Sequence, residues 1–270
     1  MTNPVFLPHR SVISVSGADA ATFLNGIVTA STLGMRAGEF RYGALLTPQG
    51  KVISDMLLTR EADAILIDCA EAASLAVIKR LTLMTLRAAV VIAPRPDLGV
   101  NAFAGSPDPR SPSAPHRSIG PHTTAGDIDA YHAARIAAGL PEQGADFGAE
   151  EVFPADINMD LVGGVDFRKG CFIGQEVVSR MKRRGTARRR TLKARVAGHI
   201  TAPAAVLAND FEIGMLTSFS GGDALTRVRI DRLAEARAKG ETITAGGLPV
   251  VFEDPYWLAG ELAAMNQGKA

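Results

Sequence analysis

The first 95 residues set out strand, helix, hairpin, strand, helix and strand in that order, and this succession constrains the fold more than any other feature of the chain. In SVISVSGADAATFLNGI, the β-branched Val12, Ile13 and Val15 read as a strand, and Phe23, Leu24 and Ile27 supply the apolar face of a helix. Ser16, with Asp19 three residues on, is placed as the N-cap of that helix in a near capping box. EFRYGALLT and KVISDMLLT flank Thr47-Pro48-Gln49-Gly50, where proline second and glycine fourth suit a type I turn, so the pair predicts a hairpin. AILIDCA is a further strand and sets Cys69 among aliphatic residues; EAASLAVIKRLTLMTLR repeats apolar residues at 75, 78, 81 and 84, as a helix does. AAVVIA closes the series. The expectation is an α+β sandwich of ferredoxin-like units.

Beyond it, five prolines between Gly105 and Pro121 interrupt all periodicity and predict a long loop or lid. GDIDAYHAARIAAG reads as a helix stopped by Gly139 and Pro141. After Arg190 the texture changes to short alternating runs separated by glycines, TLKARVAG, FEIGMLTSFS, ALTRVRI and AGGLPVVFED, which predict a small antiparallel barrel of ~70 residues. The domains expected are therefore 1–190 and 191–270. An apolar fraction of 47% fits a globular chain, and no apolar run approaches the ~18 residues of a membrane span. MTNPVFLPHRSVISV does not read as a signal peptide, and two cysteines, too few for a disulfide framework or a metal site, set a cytoplasmic protein with free thiols as the expectation. A net charge of +1 points to no polyanionic partner, so any electrostatic message must come from local clustering.

That clustering is in KGCFIGQEVVSRMKRRG, residues 169–185. Gly170 and Gly174 bracket Cys171, and from Gln175 the spacing of Val177, Val178 and Met181 is helical, with Glu176 in the first turn. A thiol just before a helix N-terminus and two residues from Lys169 is in a setting that favours thiolate. The other reading is a small apolar residue in a packed turn. Behind it, Lys182, Arg183, Arg184, Arg188, Arg189 and Arg190 put six cations in nine residues. They read as a solvated linker face, or as a site for a polyglutamyl tail or an RNA backbone, with few aromatics nearby for base stacking. The five histidines show no ligand spacing.

KGCFIGQEVVSR closely resembles the signature of the YgfZ-type folate-binding proteins, relatives of the glycine-cleavage T-protein (aminomethyltransferase). GADAATFLNGIVT, ALLTPQGKVISDMLL, Asp108-Pro109-Arg110 and YHAARIAAGLPEQGAD follow in the family's order, so the resemblance spans most of residues 10–190. It implies a T-protein-like folate-binding domain with a tetrahydrofolate-sized pocket, capped by a small barrel, and a role in assembly or repair of iron–sulfur clusters in client enzymes. The residues it singles out are Cys171, with Lys169, Gly170, Gly174, Gln175 and Glu176. The family's pterin-binding Glu, in a Pro-x-Glu-x-Asn segment, corresponds to Asp156, one methylene shorter, in Pro154-Ala155-Asp156-Ile157-Asn158; the other reading is a turn-forming Asp before a loop. One carboxylate there would accept the pterin N–H and amino group together. Tyr131 and Arg135, one turn apart on a helix, are further candidates for the pocket wall, or a core Tyr with a snorkelling Arg; Asn25 resembles a polar position near the cavity. Two cysteines cannot hold a four-iron cluster, so a cluster would need partner ligands and no metal is held by this chain alone. The competing functions are a folate-dependent aminomethyltransferase or demethylase, which the Lys-Gly-Cys argues against, and an RNA-binding module associated with tRNA modification, working through residues Lys182 to Arg190.

Overall fold

The computed structural model describes residues 3–123, 126–185 and 187–267; Met1 and Thr2, where the leader reading begins, and the last three residues of the expected barrel domain lie outside them. The elements in chain order are β1 (Val5–Phe6), β2 (Arg10–Ser16), α1 (Ala20–Asn25), β3 (Phe40–Leu46), β4 (Val52–Arg60), β5 (Ala64–Ala70), α2 (Glu71–Met84) and β6 (Val91–Pro94). β7 (Gly99–Ser106), β8 (Arg117–Gly120), α3 (Ile128–Ala137), a 3-10 turn (Pro154–Ile157) and α4 (Gln175–Arg183) complete the larger part. The smaller part holds β9 (Arg189–Val196), β10 (Ala204–Ala208), β11 (Phe211–Ser220), β12 (Asp223–Arg229), α5 (Ile230–Ala238), β13 (Ile243–Ala245), β14 (Leu248–Phe252) and α6 (Leu258–Gln267).

The expected succession is present. β3-β4-β5-β2-β6 form one antiparallel sheet, a ferredoxin-like β-α-β-β-α-β unit in which β3 is an added edge strand. β4 reads VISDMLLTR and all but its last residue is buried, because one face packs with α1 and α2 while the other meets the 147–178 segment. α+β content with a closed barrel of strand order β10-β11-β12-β9-β14-β13 matches the expected class.

Three local expectations are corrected. Asp19, not Ser16, occupies the N-cap of α1, and its carboxylate accepts the backbone N–H of Ala89 at 2.7 Å rather than capping the helix. The proline-rich loop is shorter than 105–121: β7 pairs with β1 on one side and β8 on the other in a three-stranded sheet, and Ser106 stands opposite Arg117. The prolines before residue 116 sit in the connection, where no ladder N–H is required of them. α5 and α6 were not foreseen in the glycine-rich tail; Ile230, Leu233 and Ala236 of α5 bury against the barrel core.

Candidate functional site

Cys171 stands on the surface, four residues ahead of α4. Its neighbour Phe172 is buried in the cluster that includes Leu46, Val52 and Val178, so the thiol is presented from a fixed base. Gly174, at φ +78°, caps α4, and a Cβ there would lie 2.7 Å from the Thr47 carbonyl oxygen and 3.1 Å from the Gly50 Cα. The hairpin turn predicted from Thr47-Pro48-Gln49-Gly50 is therefore the seat of the Cys171 loop, backbone against backbone. Gly170 differs: it is exposed and a Cβ would meet nothing within 4 Å, so the fold itself does not require a glycine there.

Lys169 donates through Nζ to the Asn25 backbone carbonyl, and its ammonium stands 4.9 Å from the Phe172 ring centroid. Burial lowers its pKa to about 8, only partly opposed by Asp166. Asn25 is thus tied to the cysteine loop, and its side chain accepts the Thr32 N–H at 3.1 Å. Gln175 opens α4 with its N–H on the Phe172 carbonyl, and Glu176 is exposed in the first turn. Cys69 is fully buried on β5, and burial pushes its thiol up to about 12, so the two cysteines are chemically distinct.

A second feature is a cleft of about 350 Å³ between the larger part and the barrel, lined by Tyr42, Arg110, Asn158, Thr191, Lys193 and Trp257 among others. Asn158, in the left-handed region at φ +60°, donates Nδ2 to the Thr191 carbonyl at 2.7 Å, while its buried Oδ1 has no partner among the described residues. Asp156 does not line this cleft. Its Oδ2 accepts the Phe153 N–H at 2.9 Å, closing its own 3-10 turn, and the residue borders a different hollow with Arg189, Arg227 and Arg229. Burial raises its pKa, against that N–H. The bidentate carboxylate expected for a pterin is therefore not offered to the cleft; one methylene fewer lets Asp156 turn back on its own backbone.

Tyr131 and Arg135 also stand outside the cleft. Both are buried in a network of paired charges: Tyr131 donates to Glu142 at 3.0 Å and accepts from Arg117 at 2.8 Å, and Arg135 donates to Asp146 at 2.7 Å and to Ser218 at 2.9 Å. Arg10 and Arg117 close the network on Asp68. Arg190 is likewise removed from the expected basic face, being buried against Asp160 and Glu261, whereas Lys182, Arg183, Arg184, Arg188 and Arg189 are exposed.

Asp55 was not singled out in the sequence. It is buried on β4, its Oδ2 accepts the Tyr42 hydroxyl at 3.1 Å, and its Oδ1 has no partner among the described residues. Burial raises its pKa against the pull of Arg10 and Arg110, and Tyr42 carries the contact to the cleft. The available signal was a carboxylate interrupting the apolar run of KVISDMLL. Among the described residues no group of three or more His, Cys, Asp or Glu could hold a metal ion, and no helix is long and apolar enough to cross a membrane.

Residues 188–260 match the CAF17 C-terminal β-barrel domain family. The crystal structure of the glycine cleavage system aminomethyltransferase T from Bartonella henselae superposes with a TM-score of 0.75, at 17% identity, over 94% of this chain and 85% of that one, which establishes the T-protein fold. In sequence, the chain is 35% identical over 227 residues to a mitochondrial iron–sulfur cluster assembly factor IBA57 homolog of Pyricularia oryzae, covering 73% of this chain and 58% of that protein. The IBA57 proteins of Homo sapiens and Mus musculus are 29% and 26% identical, with 70% and 73% of this chain and 65% and 67% of theirs covered. The chain spans about half the length of the fungal relatives it matches. The cytoplasmic expectation is overturned by these relatives, which are named as mitochondrial proteins. On a T-protein fold with a CAF17-type barrel, the specific likeness of this chain is to the IBA57 iron–sulfur cluster assembly factors, to which the YgfZ-type group is related.

Proposed function

We propose that this protein is an accessory factor in assembly or repair of iron–sulfur clusters, of the kind its mitochondrial relatives are named for, and that it works through Cys171. The observation that carries this reading is the contrast between the cysteines: Cys171 is exposed on a seated loop, and Cys69 is buried with its thiol raised. A single exposed cysteine supplies one ligand or one nucleophile, so a cluster in transit takes its other ligands from a partner. The cluster is cargo. The test is complementation with Cys171→Ala in cells lacking the protein: activity of cluster-dependent enzymes should be lost while the variant keeps its melting temperature. Full rescue by the variant refutes the role of the thiol.

A second reading, binding of a reduced folate in the interdomain cleft, is favoured by the orphaned Oδ1 of Asn158 in a cleft above the ~300 Å³ lower range of ligand pockets. The cleft offers a flat ligand Asn158 with Tyr42 and Trp257, and its carboxylates are Glu253 and Asp254 rather than Asp156. Trp257 is the one tryptophan in the chain, so its fluorescence reports the cleft directly. Quenching by a reduced folate supports the reading, and an unchanged signal at millimolar folate rejects it.

A further inference from the structure

Eleven arginines of this protein are held by carboxylates. Arg41, Arg95, Arg195, Arg227, Arg229 and Arg237 each pair with a carboxylate within 4 Å, and Arg10, Arg110, Arg117, Arg135 and Arg190 are buried against one. Arg36, Arg60, Lys79, Arg80, Arg87 and Arg232 make no ion pair among the described residues either, but they are scattered along the chain, whereas the segment from Arg168 to Arg189 gathers seven such cations in 22 residues. Arg168, Arg180, Lys182, Arg183, Arg184, Arg188 and Arg189 are exposed and make no ion pair within 4 Å among the described residues; Lys182 stands over the Phe167 ring at 4.6 Å, and Arg188 and Arg189 act only at longer range, on Asp231 and Asp156. Between 168 and 189 eight cations stand against the single carboxylate of Glu176, a net +7 in a chain that totals +1, so the rest of the molecule carries a net −6.

The helix dipole accounts for part of this. Arg180, Lys182 and Arg183 lie in the last turn of α4, where cations are favoured. It does not account for Arg168, ahead of the helix, or for Arg188 and Arg189, beyond it. Arg180 and Arg184, four apart, oppose each other as like charges. A surface that keeps such a charge unpaired beside an exposed thiol is built for an outside anion. The thiol and the cations share one footprint: α4 rises ~1.5 Å per residue, which places its last turn ~12 Å from its start, and a standard interface of ~800 Å² per partner is wider than that.

We propose that the face from Arg168 to Arg189 around Cys171 docks the acidic surface of a protein that exchanges a cluster or a thiol adduct with Cys171. The proposal rests on the function proposed above and names the chemistry of its partner. A protein suits the face better than a nucleic acid: Phe172 is buried and Phe167 is covered by Lys182, leaving no aromatic in the segment for base stacking, and an exposed thiol adds nothing to phosphate binding.

The test uses three eight-residue peptides, rich in Glu, Ser or Lys, each carrying one cysteine activated as a 2-thiopyridyl disulfide. The Cys171 thiolate attacks the peptide cysteine sulfur. One S–S bond forms, the original one breaks, and pyridine-2-thiolate leaves, takes up a proton and is read by absorbance; Cys171 is oxidised as the probe disulfide is reduced. Cys171→Ser gives the background. The rate order should be Glu, Ser, Lys, with the Glu peptide ~10-fold or more ahead of the Ser peptide at low salt and the gap closing at high salt. The combined variant Arg180→Glu, Arg183→Glu, Arg184→Glu should invert the order with an unchanged melting temperature. Equal rates for the three peptides overturn the proposal. So does a single-stranded RNA whose retention is lost in that variant while the peptide rates are equal, which would make the face a nucleic-acid site. In cells lacking the protein, loss of cluster-enzyme activity with both Cys171→Ser and the charge-reversed variant supports the docking face. Loss with Cys171→Ser alone overturns docking and leaves the assembly function standing, and rescue by both overturns the function itself.

Discussion

Replacing Gly174 by alanine separates the seat of the cysteine loop from its exposed rim. At φ +78° a side chain other than glycine's costs ~1–2 kcal/mol in backbone strain alone. The new Cβ would also be placed 2.7 Å from the Thr47 carbonyl oxygen, a backbone atom that cannot swing aside, and 3.1 Å from the Gly50 Cα. Relieving that contact lifts α4 off the hairpin turn, and the total expected is ~3 kcal/mol, at the upper end of ordinary point substitutions. At ~2–4 °C per kcal/mol for a chain of this size, thermal unfolding should fall by ~6–12 °C. If the loosening stays local, it appears instead as lost hydrogen-exchange protection over residues 172–183. Gly170→Ala is the internal control, since its Cβ would meet nothing and its φ is not positive; its stability should change by less than ~0.5 kcal/mol. A Gly174→Ala protein as stable and as protected as the parent refutes the backbone seat, and a Gly170→Ala protein that loses stability refutes the claim that the rim is open.

Native protein should take up one equivalent of iodoacetamide, at Cys171, and the second only on unfolding, because Cys69 is buried with its thiol near 12; mass mapping checks the site. Asp108 is desolvated, yet Arg110, bonded to it at 2.7 Å, and Arg117 hold its carboxyl at about 2, below the ordinary 3.8. A depressed carboxyl contributes stability that is present above pH ~4 and lost as pH falls toward 2, so Asp108→Asn should flatten the acid limb of the stability curve in that window. Asp146→Asn should uncouple the two parts of the molecule: its carboxylate accepts from Arg135, Thr217 and Ser218 at 2.6–2.7 Å, and buried Arg135 would keep only Glu142, 3.6 Å away, at a cost below the ~3–5 kcal/mol of a fully unpaired buried charge. Calorimetry should then show two transitions where the parent shows one.

What was legible in the sequence is what depends on local pattern. Val12 to Val15, the Pro48–Gly50 turn and the alternation after Arg190 declare their own conformations, and the observed sheets follow them. Cys171 was legible because the glycines and the helix behind it are contiguous with it. Residues whose role depends on distant partners were not. Nothing near Tyr131 or Arg135 announces Glu142, Asp146 and Ser218, the last of them 83 positions away from Arg135; Asp156 was ambiguous for a local reason, since a short carboxylate three residues after Phe153 can close on that N–H or face a ligand. Arg190 looks like one more member of a basic run; only the fold brings Asp160 and Glu261 to it and leaves its neighbours unpaired.

The two candidate sites share structural elements although they are separate. The hairpin of β3 and β4 ends in the turn that seats Gly174, and the same β3 carries Tyr42 into the wall of the cleft. The segment between the cleft and the cysteine is equally shared: Asn158 ties to β9 through Thr191, and thirteen residues later the same segment presents Cys171. A ligand that drew on Asn158 or on Tyr42 would therefore act on elements whose packing fixes the thiol loop, through Leu46, Val52, Met159 and Phe172 of a single apolar cluster. Coupling by this route needs two arrangements of that cluster that the ligand and the partner prefer differently; equal preference would leave the sites independent however tightly each binds. The cluster is close-packed and its members are almost fully buried, so a change in the cleft reaches the thiol loop by shifting those side chains together rather than one at a time.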